Sequence, residues 1–106
     1  MQKYLKDGLV AIIYSPGYGA GWSTWNKDNK QCIFDPFIVE QLIQKNSDCY
    51  DVINKYVDEN YPKRFCKLGL RELKLQWLPI GTKFYIDEYD GYESVKVVDS
   101  TFWIEA

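Results

Sequence analysis

The carboxylates of this chain are densest over Asp87-Glu88-Tyr89-Asp90-Gly91-Tyr92-Glu93. Acid–base chemistry, if there is any, falls to these residues. Given a metal ion, paired carboxylates can cleave glycosidic or phosphodiester bonds. On an extended strand, however, Asp87 and Tyr89 share one face while Glu88 points to the other, so no ready pair forms. Asp90-Gly91 reads as a hairpin turn. The spacing therefore favours a solvated turn, and the easier role for Asp87, Tyr89 and Asp90 is to bind ribose hydroxyls or an exocyclic amine. The chain has no histidine, which removes the commonest general base and metal ligand together. No Ser/His/Asp or Cys/His arrangement can be built, and no cysteine has a chain neighbour that would activate a thiolate. We expect no catalytic residue, no metal and no cofactor.

Residues 15 to 26 read Ser-Pro-Gly-Tyr-Gly-Ala-Gly-Trp-Ser-Thr-Trp-Asn. Glycine at alternate positions frees the backbone to take φ > 0 and lets another surface come close to it. Aromatic rings beside exposed N–H groups suit a planar anion such as a nucleotide. The segment lacks the Gly-Lys-Ser/Thr of a P-loop, and Gly17, Gly19 and Gly21 have the wrong spacing for a dinucleotide fingerprint. The expected ligand-binding set here is Gly17, Tyr18, Gly19, Ala20, Gly21, Trp22, Ser23, Thr24 and Asn26. Rings would stack on a base, amides would meet phosphates, and Asn26 would reach ribose. The plainer alternative is a tight loop whose tryptophans fold back into the core. Arg64 and Arg71, the two arginines, could complete an anion pocket through their planar forks, or could pair with surface carboxylates such as Glu72.

These residues sit on a chain of 106 residues, enough for one domain (1–106) with one core. It is 46% apolar and 26% charged, the balance of a globular protein. Aromatic residues make up 17%. That surplus suggests that some of them line a pocket or a subunit interface, and a homo-oligomer is expected. A net charge of -2 and a pI near 5.1 exclude an electrostatic footprint for duplex nucleic acid. A local anion site remains compatible with that charge. No apolar run reaches membrane length and no signal sequence is evident, so we expect no membrane partner and a cytoplasmic location. Cys32, Cys49 and Cys66 are odd in number and scattered, which suggests reduced thiols.

The elements that must position these groups can be read from period and punctuation. Leu9–Tyr14 is a continuous apolar strand, and Gln31-Cys32-Ile33-Phe34 reads as a short second strand returning against it. Asp35-Pro36 opens a helix, with Asp at the N-cap and Pro at the first turn, and Ile38, Val39, Leu42 and Ile43 form its apolar face. Ser47 reads as the N-cap of a second helix carrying Val52, Ile53, Tyr56 and Val57, and Pro62 ends it. From Glu72 onward the period becomes two: a strand with Leu73, Leu75 and Trp77, a strand over 82–89 with Phe84 and Ile86 on one face, a return over 92–98, and a last strand at Phe102-Trp103-Ile104. The expected fold is α+β: a mainly antiparallel five- to six-stranded sheet with two helices inserted after the second strand and packed on one face.

The stretch from Val10 to Asn26 resembles small phage-encoded proteins in which an apolar strand runs into Ser-Pro-Gly-aromatic-Gly-Ala-Gly-Trp. Phe34-Asp35-Pro36, the segment Leu73 to Phe84 and the segment Ile86 to Glu93 are similar to the same group, so the likeness covers most of the chain. Within that group it resembles the anti-Thoeris sponges, phage proteins that sequester the cyclic ADP-ribose signal of bacterial immunity without cleaving it. The resemblance implies ligand-binding roles for Trp22, Phe84 and Asp90, and the host bacterial cytoplasm as location. The leading expectation is thus a non-catalytic protein that binds a nucleotide-derived second messenger of the cyclic ADP-ribose or cyclic oligonucleotide class. One alternative is an acidic protein-binding inhibitor of anti-CRISPR or anti-restriction type. The other is a metal-dependent nucleotide hydrolase using Asp87, Glu88 and Asp90.

Overall fold

The apolar run near the N-terminus forms the middle strand of a three-stranded antiparallel sheet: β1 (Leu5–Lys6), β2 (Leu9–Tyr14) and β3 (Lys74–Pro79), in the order β1-β2-β3. The computed structural model describes residues 2–17 and 21–98. β2 is continuously apolar because both of its faces are covered. Ala11 and Ile13 face one core cluster, with Leu73 and the helices, while Val10 and Ile12 face a second with Phe34 and Leu78. β1 turns into β2 through Asp7-Gly8, both left-handed with φ of 53° and 78°, as a two-residue hairpin turn requires.

Two helices cover the first face. In α1 (Pro36–Gln44), Asp35 caps the N-terminus and accepts hydrogen bonds from the amides of Phe37 and Ile38. Ile38, Val39 and Leu42 are its buried residues. α2 (Cys49–Asn60) buries Cys49, Ile53 and Val57 and stops where Tyr61, just before Pro62, turns extended. Asp48, not Ser47, occupies the N-cap of α2, because a turn closed by the Cys49 amide on the Asn46 carbonyl starts the helix one residue later.

The expected single sheet is corrected to two. β4 (Phe84–Tyr89) and β5 (Tyr92–Val97) form a separate two-stranded sheet, turning at Asp90-Gly91 with φ of 53° and 84°. β3 pairs with β2 along its whole length and β1 with its first two residues. The hairpin instead lays Phe84, Ile86 and Val95 over the Val10–Ile12 face, where they gain burial that an edge position would not provide. The expected strand at Gln31–Phe34 is also corrected. Those residues end a kinked 3₁₀ segment, Lys27–Ile33, which places Cys32 in the core and closes with the Phe34 amide on the Gln31 carbonyl. The expected strand at Phe102–Ile104 lies outside the described residues. No helix among the described residues is long and apolar enough to cross a membrane.

Asp35 does more than cap α1. Its carboxylate also accepts the hydroxyls of Tyr56 (3.0 Å) and Tyr61 (2.7 Å), tying α2 and the chain beyond it to the start of α1. Burial and the Asp35 carboxylate push Tyr56 up to about 12 and Tyr61 higher still, from the ordinary value of 10.0. A tyrosine whose folded value is raised keeps its proton longer in the native state than in the unfolded one. Its stabilising contribution is therefore complete below pH 10.0 and is lost as pH rises through the folded value. Urea midpoints should fall as pH rises above about 10, and the double variant Tyr56→Phe, Tyr61→Phe should flatten that slope (~pH 10–12). An unchanged slope would show that neither hydroxyl is linked to folding.

Candidate functional site

The glycine-rich segment meets an anion from its own chain. Glu93, on β5, is fully buried. One carboxylate oxygen accepts the Ser15 amide at 2.9 Å. The other accepts the amides of Trp22 and Thr24, each at 2.9 Å, and the Thr24 hydroxyl at 2.6 Å. The Glu93 amide in turn donates to the Ser15 carbonyl. The loop amides that suited a phosphate are thus directed at a glutamate, which locks the end of β2 to the hairpin.

The close approach that the glycines permit is also internal. A Cβ on Gly17 would overlap the Glu72 side chain, and one on Gly21 would lie 2.6 Å from Trp25 Cδ1. Trp22 is completely buried, edge-on to Phe65 with centroids 5.1 Å apart, and its indole N–H donates to the Cys32 carbonyl. It presents no face to a ligand, so the stacking expected of it gives way to core packing. Asn26 is equally committed: its amide group donates to the Trp22 and Cys66 carbonyls and its carbonyl oxygen accepts the Cys66 amide. Tyr18, Gly19 and Ala20 lie outside the described residues, and Ser23 is half-buried.

The remaining expected site residues do not converge on that loop. Arg71 pairs with Asp51 at 2.6 Å on the surface, and Arg64 is exposed in the turn after Pro62. Phe84 packs against Phe34 on the inner face of the hairpin. Asp87 and Tyr89 occupy the opposite, outer face, and Asp90 makes the turn. Glu88 and Glu93 stand directly across from one another. That is an unfavourable pairing for like charges, relieved here by separate partners, since Glu88 accepts the Gly91 amide while Glu93 accepts the loop. Among the described residues no three His, Cys, Asp or Glu side chains come together as metal ligands.

A different place has the shape of a binding site. α1 spans 9 residues, about 13 Å, and leaves part of the sheet face beneath it uncovered. The result is a groove of about 1000 Å³ between the sheet and the α1–α2 connection. Leu9, Leu42, Ile43, Leu75 and Trp77 give it apolar walls. Trp77 is held edge-on by Tyr4, with ring centroids 6.0 Å apart. Lys6 on β1, Lys45 after α1 and Lys74 on β3 also line the groove, against one acidic residue, Asp7. Among the described residues none of the three lysines forms an ion pair. The first turn of α2, at Cys49 and Tyr50, opens onto the same space with the positive end of its dipole. Chemically this is a place for a molecule with an apolar or aromatic body and an acidic group. Alternation over Leu73, Leu75 and Trp77 signals one wall, but Lys6, Lys45 and Lys74 are too far apart in sequence to be read as a set.

Comparison of the chain with protein-family models, with curated proteins and with solved structures finds no match.

All three cysteines are free thiols: Cys32 and Cys49 are buried and Cys66 is partly exposed. Burial above all, then the charges of Glu93 and Asp35, pushes the Cys32 thiol well above its ordinary range and so away from the reactive thiolate. Native iodoacetamide labelling followed by mass spectrometry should modify Cys66 first and Cys32 only after unfolding. Reductant should leave the melting temperature unchanged. Early labelling of Cys32 would contradict its placement in the core.

Proposed function

We propose that this protein captures a small nucleotide-derived anion, of the cyclic ADP-ribose or cyclic oligonucleotide class, and holds it without cleaving it. The observation that carries this reading is the groove beside Trp77, where an aromatic and aliphatic wall stands within one lysine-lined space. Its volume of about 1000 Å³ is at the upper end of the roughly 300–1,000 Å³ of small-molecule sites. The resemblance of the loop sequence to phage sponges is consistent with it, and so is a setting in the host bacterial cytoplasm. The carboxylates considered as acid and base are separately engaged or apart. Glu93 is enclosed, Glu88 is bound to the turn, and Asp87 is on the outer face of the hairpin. Capture without turnover is the chemistry that such an arrangement supports.

The test is to incubate the protein with cyclic ADP-ribose, ADP-ribose and a cyclic dinucleotide, remove free ligand, heat, and identify what is released. Intact ligand at about one equivalent per subunit supports capture. Multiple turnovers abolished by Asp87→Ala would establish a hydrolase instead. Retention of none of the three would favour the protein-directed inhibitor. That second reading draws on the outer hairpin face, where Tyr85 and Tyr89 are 55% and 79% exposed beside Asp87. The same exposed aromatic face gives self-association a physical basis, and light scattering that finds only monomer at micromolar concentration would exclude it.

A further inference from the structure

Lys45 stands in a backbone conformation that lysine does not favour. It follows the last residue of α1 with φ 54° and ψ 35°, the left-handed region, while its amide closes the helix on the Gln41 carbonyl. Glycine or asparagine normally holds this position, because a side chain there crowds the following carbonyl. A lysine at the helix C-terminus does gain from the dipole, but that gain is available at neighbouring positions with ordinary backbone angles. What this position adds is placement. Lys45 lines the groove between α1 and the sheet, together with Lys6 and Lys74 from two separate strands. Lys6 stands on the groove face of the sheet, across from Leu9, while Lys74 borders the groove at a strand position that alternates with Leu75 and Trp77; the space contains one acidic residue, and none of the three lysines is paired among the described residues.

We propose that Lys45 is a ligand-recognition residue: its ammonium group binds the acidic group, phosphate or sulfonate, of an aromatic anion whose body lies against the Trp77 wall. The proposal rests on the groove being the binding site, as in the function proposed above, and specifies which residue holds the charge. It also makes the loss of backbone comfort at Lys45 a consequence of binding, since a residue chosen for stability alone would be glycine.

The two roles separate experimentally. Lys45→Gly and Lys45→Asn relieve the backbone and remove the charge, while Lys45→Arg keeps the charge. Binding is read by quenching of tryptophan fluorescence with two probes, adenosine monophosphate and the aromatic sulfonate 1-anilinonaphthalene-8-sulfonate, and stability by thermal melting. For Lys45→Gly the melting temperature should rise by roughly 3–6 °C as the left-handed backbone is relieved of its side chain. Affinity for both probes should fall about tenfold or more in Lys45→Gly and Lys45→Asn, the usual effect of losing a charge-assisted hydrogen bond. Lys45→Arg should bind within a few-fold of the wild type. Unchanged affinity in the two neutral variants would overturn the proposal and leave Lys45 as a helix cap. If the wild type binds the sulfonate in a Lys45-dependent way but not the nucleotide, the role of Lys45 stands and the nucleotide reading falls. If it binds neither probe, both fall.

Discussion

Replacing Glu93 with alanine is expected to remove about 3–5 kcal/mol of stability, the range for stripping one partner from a buried, charge-assisted network. A domain of this kind has only about 5–15 kcal/mol in total. The carboxylate is fully enclosed and accepts four hydrogen bonds, from Ser15, from Trp22 and twice from Thr24. Without it, the amides of Ser15 and Trp22 lose their partner in a dry interior, since both residues are buried. The tie between the end of β2 and the hairpin goes with them. Glu93→Gln separates charge from shape. The side-chain oxygen can still accept the three donors of Trp22 and Thr24, but its NH₂ group then faces the Ser15 amide, donor against donor. We expect about 1–3 kcal/mol for that single conflict. Urea denaturation followed by tryptophan fluorescence measures both variants. A loss below about 1 kcal/mol for Glu93→Ala would mean that water replaces the carboxylate freely and that the loop is not locked by it.

Local signals in this sequence carried the local structure. Leu9–Tyr14 is a strand, Asp35-Pro36 opens α1, and Asp90-Gly91 turns the hairpin, each through chemistry confined to a few residues. Asp7-Gly8 is the same dipeptide doing the same work, but β1 is two residues long and has no alternation by which to recognise it. Gln31–Phe34 is a short, partly apolar run, and such runs do not distinguish a strand from a helical turn. What chose the 3₁₀ turn is tertiary: it carries Cys32 into the core, where the Trp22 indole donates to its carbonyl. The candidate site was less legible for the same reason. An open glycine loop shows that something comes close to it, without showing what. Glu93 lies 71 residues beyond Trp22, and strand alternation places it on a face with Glu88 without revealing that this face is the buried one. The groove lysines come from β1, the α1–α2 connection and β3, and only the folded chain brings them together.

Truncating Trp22 to alanine should cost about 3–5 kcal/mol, the scale of deleting a large buried aromatic side chain, and is expected to leave the domain close to unfolding at 37 °C. A tryptophan that stacked on a ligand at a strand end would lose binding and little stability. The geometry points the other way. The side chain has no exposed surface, its ring meets Phe65 edge-on, and its indole N–H reaches the Cys32 carbonyl at 3.4 Å. Its backbone is held as well, the amide by Glu93 and the carbonyl by Asn26, so the residue joins the loop, the hairpin and the helical core at one point. Trp22→Phe, which keeps most of the apolar volume and leaves the Cys32 carbonyl unpaired, should cost about 1–3 kcal/mol and fold. That milder variant also separates the loop from the groove. Because the groove lies against Trp77 and the α1–α2 connection, Trp22→Phe should bind adenosine monophosphate as the wild type does, while Trp77→Ala should not. If Trp22→Phe melts like the wild type and loses binding, then the glycine-rich loop contacts the ligand and the groove does not.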